Sequence, residues 1–250
     1  MIYPYRDLSW KQHYELDKEK VYAMLPIGAI EQHGPHMAVG TDDYIIDYVV
    51  RRLTGNADVK PEIYVMPSLH YALSSEHMGL SGTITLSAAT LNAVISDILQ
   101  SLKTHGWKRL IILNSHGGNK MFLHGLAQEW KRKYGLEIYV VDTRHQIFNQ
   151  KAATVLETDP NLEVHAGEDE TSQMLYEFPH IVHMEVLQEC FSGKVRRIPM
   201  RRDSWFSDEV DPSGIIGAPQ LATKKKGEKL TAYECETVIE QLNSLEELVP

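Results

Sequence analysis

The stretch LPIGAIEQHGPHMAVGTDD, residues 25–43, carries Glu31, His33, His36, Asp42 and Asp43 directly after an apolar run. Run extended, Glu31, Gln32 and His33 alternate their side chains, so Glu31 and His33 face one side. Gly34 and Pro35 then turn the chain and let Asp42 return toward the same point. Three more polar clusters follow: Ser74, Ser75, Glu76 and His77; then Asn114, His116 and Asn119 in NSHGGN; then His165, Glu168, Asp169, Glu170 and Ser172 in VHAGEDETS. A carboxylate able to bridge, several imidazoles and donors from separate segments suit a pair of borderline divalent ions such as Zn²⁺ or Mn²⁺. Two such ions can hold a shared hydroxide and polarise a carbonyl together, which is hydrolytic chemistry. Three plainer readings stand beside this one: polar loops whose histidines are satisfied by backbone, a single structural zinc, and a metal-stabilised binding protein without turnover.

The clusters have to be positioned by what precedes them. Residues 20–28 (KVYAMLPIG), 62–69 (EIYVMPSL), 109–115 (RLIILNS) and 137–143 (EIYVVDT) read as buried strands. Their near-continuous apolar character suits parallel strands covered on both faces. Between them, Leu91, Val94, Ile95, Ile98, Leu99 and Leu102 keep helical three-four spacing, with Gly106 as the stop. Phe122, Leu123, Leu126 and Trp130 do the same up to Gly135, and a last long helix runs through Leu230, Tyr233, Val238, Leu242 and Leu245. Alternating strands and helices give an α/β layered domain with a mainly parallel sheet. Ligand sites in such sheets form beyond the carboxyl ends of the strands, where the clusters fall.

Composition narrows the partners. The 250 residues are 43% hydrophobic and 24% charged, enough for one sizeable α/β core, and the formal charge of −9 opposes general nucleic-acid binding. No apolar run approaches the ~20 residues needed to cross a bilayer. The N-terminus MIYPYRDLSW lacks a signal-peptide pattern, and Cys190 and Cys235 stand far apart, so a cytoplasmic protein with reduced thiols is expected. Residues 192–220 show no periodicity and are expected to serve function or a subunit contact. Within them, Arg196, Arg197, Arg201 and Arg202 suit acids across an interface or an anionic substrate, whereas Lys224, Lys225 and Lys226 read as a solvated face.

The blocks IGAIEQHGPHMAVGTDD, NSHGGN, HAGEDETS and GAPQLATKKKGE resemble, in order, the signature blocks of the creatininase (creatinine amidohydrolase) family across residues 24–229. The resemblance implies one three-layer α/β/α sandwich domain over 1–250. It also implies two divalent ions per chain (Zn and/or Mn, with Fe possible) and hydrolysis of C–N bonds in a small cyclic or linear amide. By the same resemblance Glu31 and His116 hold one ion, His33 holds the other and Asp42 bridges them. His165 carries a proton to the leaving group, and Ser75, His77, His36, Gly117 and Gly118 stand near substrate.

Two departures bear on substrate. Creatininase carries a glutamate ligand at the position of Gly118, so Glu170 is expected to supply that ligand and to join His165 in the catalytic set. Creatininase also has a tryptophan ahead of its histidine, where this chain reads NLEV. Both weaken creatinine itself and favour a cyclic amide, a formamide or, as the alternative, ring-opening of an oxidised cyclitol. The resemblance further implies a homo-oligomer, a hexamer built as a trimer of dimers.

Overall fold

The computed structural model describes residues 1–196, 198 and 204–245. Five parallel strands form one sheet in the order β1-β3-β2-β4-β5: β1 (Ile2–Pro4), β2 (Tyr22–Ile27), β3 (Ile63–Val65), β4 (Arg109–Asn114) and β5 (Glu137–Asp142). Among the described residues the helices are α1 (Trp10–Glu15), α2 (Thr41–Leu53), α3 (Ala88–Thr104), α4 (Gly117–Tyr134), α5 (Gln146–Ala152), α6 (Glu168–Glu177), α7 (Met184–Cys190), α8 (Ser207–Val210) and α9 (Lys224–Ser244).

Side-chain alternation along the strands builds two cores, one on each face. Tyr22, Met24, Ile63, Val65, Ile111 and Leu113 pack with residues of α2, α6 and α9. Ala23, Leu25, Ile27, Tyr64, Leu110 and Ile112 pack with residues of α3 and α4. The result is the expected three-layer α/β/α arrangement. Every residue of β2 is buried, which is why its sequence shows no polar alternation. Pro26 is tolerated inside this central strand because even-numbered amides of β2 point toward β3, and β3 has ended by then (Val65 pairs with Met24).

Three elements add to or differ from the sequence reading. β1 was not foreseen: three residues at the chain start give no period to read, and they pair only as an edge beside β3. The segment after Gly40 is a helix, so Asp42 sits in the first turn of α2 rather than in a returning loop. The last helix starts at Lys224, capped by Thr223, whose hydroxyl accepts from the Lys226 amide. Lys226 is therefore not on a solvated face; its ammonium reaches Glu157 and the fully buried Glu168. The helix stops were legible: Gly106 and Gly135 both take positive φ, 84° and 71°, where glycine carries no steric cost.

Candidate metal centre

The carboxyl ends of β2 and β4 deliver most of the site. β2 leads into Glu31 and His33, and β4 into His116, which caps α4. Gly34, at φ 67°, makes the turn that sends the chain on toward α2 and Asp42. His165 is set by a bridge to Ile216, and α6 then carries Glu170 in its first turn.

These side chains converge. His116 Nε2 lies 3.2 Å from Glu31 Oε2, and His116 Nδ1 lies 3.1 Å from Asp42 Oδ2. The other oxygen of Asp42 turns to His33, 3.8 Å from its Nε2, and Glu170 Oε2 stands 3.9 Å from the same nitrogen. Asp42 thus presents one oxygen to each of two clusters: Glu31, Asp42 and His116, and His33, Asp42 and Glu170, each with donor atoms within 4.8 Å of one another. Glu31, His33 and His165 form a third such group.

Whether these residues fit metal ions is decided by their hydrogen bonds. Glu31 Oε2, His33 Nε2, Asp42 Oδ2 and His116 Nε2 are all buried and all lack a hydrogen-bond partner. A folded chain rarely leaves even one such atom unsatisfied. Four pointing at one small volume fit a site completed by cations.

The electrostatics agree. Burial pushes the Glu31 carboxyl well above the usual carboxylate range, against the pull of His116. Burial alone would lower His116, but Glu31 and Asp42 override it and push the imidazole up to about 10. Asp42 is held below its ordinary value although burial opposes this, because His116 and His33 flank it. Burial and the neighbouring imidazoles keep His165 well below 6.5 and bring His77 down to about 3.

Arg144, at the end of β5, was not singled out in the sequence, although the strand-end rule reaches it. Its guanidinium binds Asp169 and Gln173 and lies 3.8 Å from Glu170 Oε1, while the Ala166 amide donates to Glu170 Oε2 at 2.6 Å. Glu170 is thereby aimed at His33. His165 donates from Nε2 to the Gln32 carbonyl at 2.6 Å, which leaves Nδ1 facing Glu31 Oε1 at 3.6 Å.

A cavity of about 140 Å³ opens on this cluster, lined by Glu31, Asp42, Glu76, His77, Ser115, His116, Gly117, Gly118, Arg144, Val164, His165, Glu170 and Trp205. His77, Gly117 and Gly118, expected near substrate, line this cavity. Ser75 does not: it is exposed at the start of a 3₁₀ turn and lines no part of the cavity, while its buried neighbour Ser74 stands beside Glu31. His36 is also off the cavity, fully buried with Nε2 2.9 Å from the Thr171 hydroxyl. An aromatic does reach the site after all. Trp205 arrives from the irregular segment, edge-on to His77 at 6.2 Å. Of the basic cluster, Arg196 pairs with Asp211 at 3.0 Å; Arg197, Arg201 and Arg202 lie outside the described residues. A larger groove of about 620 Å³, around Tyr5, Trp10 and Trp107, lies at the amino ends of the strands, away from this chemistry.

Comparison with known proteins points the same way. The Creatininase family profile, described as creatinine amidohydrolase, matches residues 6–242. A creatinine amidohydrolase of Pseudomonas putida is 29% identical over 247 residues, covering 89% of each chain. A mycofactocin precursor peptide peptidase of Mycolicibacterium smegmatis is 29% identical over 212 residues, covering 84% of this chain and 79% of that one. A mutant creatininase of Zn-Zn type superposes with a TM-score of 0.74 at 25% identity over 98% of both chains, and a creatininase Mn structure matches to the same degree.

Proposed function

The chain belongs to the creatininase family, whose members are metal-dependent amidohydrolases, and from that premise we propose that it hydrolyses the C–N bond of a small cyclic amide or a formamide. The observation that supports this reading is the convergence of buried atoms on Glu31, His33, Asp42 and His116 that face one another without well-formed hydrogen bonds. In this reading Glu31 and His116 hold one divalent ion, His33 and Glu170 the other, and Asp42 is shared. When bound, such ions make water acidic enough to attack near neutral pH and draw charge from a carbonyl oxygen.

The rest is done by the chain. His165 is neutral, with its Nε2 proton held by the Gln32 carbonyl, so Nδ1 is free to accept a proton from the attacking water. As the new C–O bond forms, that proton moves to Nδ1; as the C–N bond breaks, it passes to the departing nitrogen. Water and amide become acid and amine, and His165 returns neutral. Arg144 and the Ala166 amide keep Glu170 in place throughout. The cavity, about 140 Å³, is small beside the ~300–1,000 Å³ typical of drug-sized sites, which supports a compact reacting group.

The test is a panel of 2-pyrrolidinone, hydantoin, N-methylformamide and an inosose, assayed for acid release before and after chelation. Amide turnover lost on chelation and restored by Zn²⁺ or Mn²⁺ is expected. Turnover by metal-free protein would refute the proposal, and acid from the inosose alone would move the assignment to ring opening.

A further inference from the structure

Gly118 opens α4 beside His116, and its lack of a side chain has a local cause. A Cβ built there would lie 2.3 Å from Glu76 Oε1 and 2.4 Å from His116 Nε2. The space that any side chain at 118 would need is already taken, by a carboxylate delivered from the 3₁₀ turn Ser75–His77 that follows β3. That turn is pinned: the Thr83 hydroxyl donates to the His77 carbonyl at 3.1 Å, and the Ser74 amide donates to the Thr85 hydroxyl at 2.8 Å.

Glu76 faces the His116 imidazole yet accepts no hydrogen bond among the described residues. Its nearest cationic group is His116 Nε2, 3.7 Å away, and no donor among the described residues hydrogen-bonds its carboxylate. It stands outside all three groups of atoms close enough to share an ion. Its side chain is 21% exposed, on the cavity wall. The terminal nitrogens of the cavity's guanidinium, Arg144, go to Asp169, Gln173 and Glu170 and not to Glu76. A carboxylate on the wall of a small cavity, carried by a pinned turn and accepting no hydrogen bond, is satisfied when the occupant brings a donor.

Resting on the hydrolase reading above, we propose that Glu76 recognises the substrate by accepting its amide N–H, so that the enzyme selects primary and secondary amides over tertiary ones, which have no N–H. An amide carries its N–H next to the carbonyl under attack, so one contact both selects and orients it. The N–H stays on nitrogen while Glu76 holds it; the proton transferred during hydrolysis is the one that His165 Nδ1 takes from the attacking water.

The experiment uses metal-loaded wild type, Glu76→Ala and Glu76→Gln, with whichever N–H amide of the panel turns over fastest and its N-methyl derivative. Wild type should prefer the N–H form. In Glu76→Ala, kcat/KM on that form should fall by roughly 10- to 100-fold, the loss of one charge-assisted hydrogen bond, with the N-methyl amide little affected. Metal content by elemental analysis should match wild type in both variants. An equal fall on both amides, loss of metal, or a wild type indifferent to N-methylation would overturn the proposal. Should no amide turn over, the hydrolase reading fails on its own. Calorimetry with 2-pyrrolidinone and N-methyl-2-pyrrolidinone then decides the role of Glu76. Binding of the first alone, abolished in Glu76→Ala, upholds it; equal binding rejects it.

Discussion

At the scale of single residues, protons offset the charge of the metal-free site, on Glu31 and on His116, where a bound cation would otherwise do so. Glu31 is fully buried with an unpartnered oxygen, and burial drives its carboxyl toward the protonated form. Glu31→Gln mimics that form. It should leave the metal-free protein at least as stable as wild type while abolishing the stabilisation that metal confers. For wild type, ions at about 100 times their dissociation constant add ~2.7 kcal/mol, or roughly 5–10 °C in Tm for a chain of this size. Thermal melts with and without Zn²⁺ check both halves. A second expectation concerns protons. Burial opposes protonation of His116, but Glu31 and Asp42 prevail and raise it to about 10, so metal must displace its proton at neutral pH. Metal affinity should therefore rise as pH goes from 6 to 9, with proton release measurable by calorimetry in buffers of different ionisation enthalpy. Affinity flat across that range would contradict it.

At the scale of elements, much of what looks like signature chemistry is packing. Gly227, in the block GAPQLATKKKGE, lies where α9 crosses α6, and a Cβ there would come 1.8 Å from the Ser172 carbonyl oxygen. Because that contact is backbone, it cannot yield, and Gly227→Ala should cost about 3 kcal/mol or more. Gly125 is the control: it lies mid-helix in α4 with nothing within 4 Å of an added Cβ, so Gly125→Ala should stabilise by up to ~1 kcal/mol. Denaturant melts of the two variants should move in opposite directions. The same distinction explains what the sequence made legible. Glu31 and His33 could be paired from the alternation of one extended stretch, and α3, α4 and α9 from their apolar spacing. β1 is too short to show a pattern. Ser75 and Ser74 differ by one residue in a turn, which no spacing rule separates. Glu76 stands in one of the polar clusters named from the sequence, without a role there; Arg144 and Trp205 join the site only because distant segments fold over the same strand ends.

At the scale of the whole molecule, a parallel sheet buried on both faces gathers its strand ends on one edge, and the site is what that edge holds. The opposite edge carries Trp10 and Tyr14, each 81% exposed on a helix with no buried residue. Such aromatics suit a subunit contact, in line with the homo-oligomer the family resemblance implies. Light scattering after size exclusion should give a multiple of the chain mass, and a strictly monomeric mass would count against it. The most direct test of the site itself is anomalous diffraction at the zinc edge from crystals grown with Zn²⁺. Two peaks are expected, one among Glu31, Asp42 and His116 and one among His33, Asp42 and Glu170, with Asp42 touching both. No peak there, or a single peak bound by neither set, would contradict the assignment.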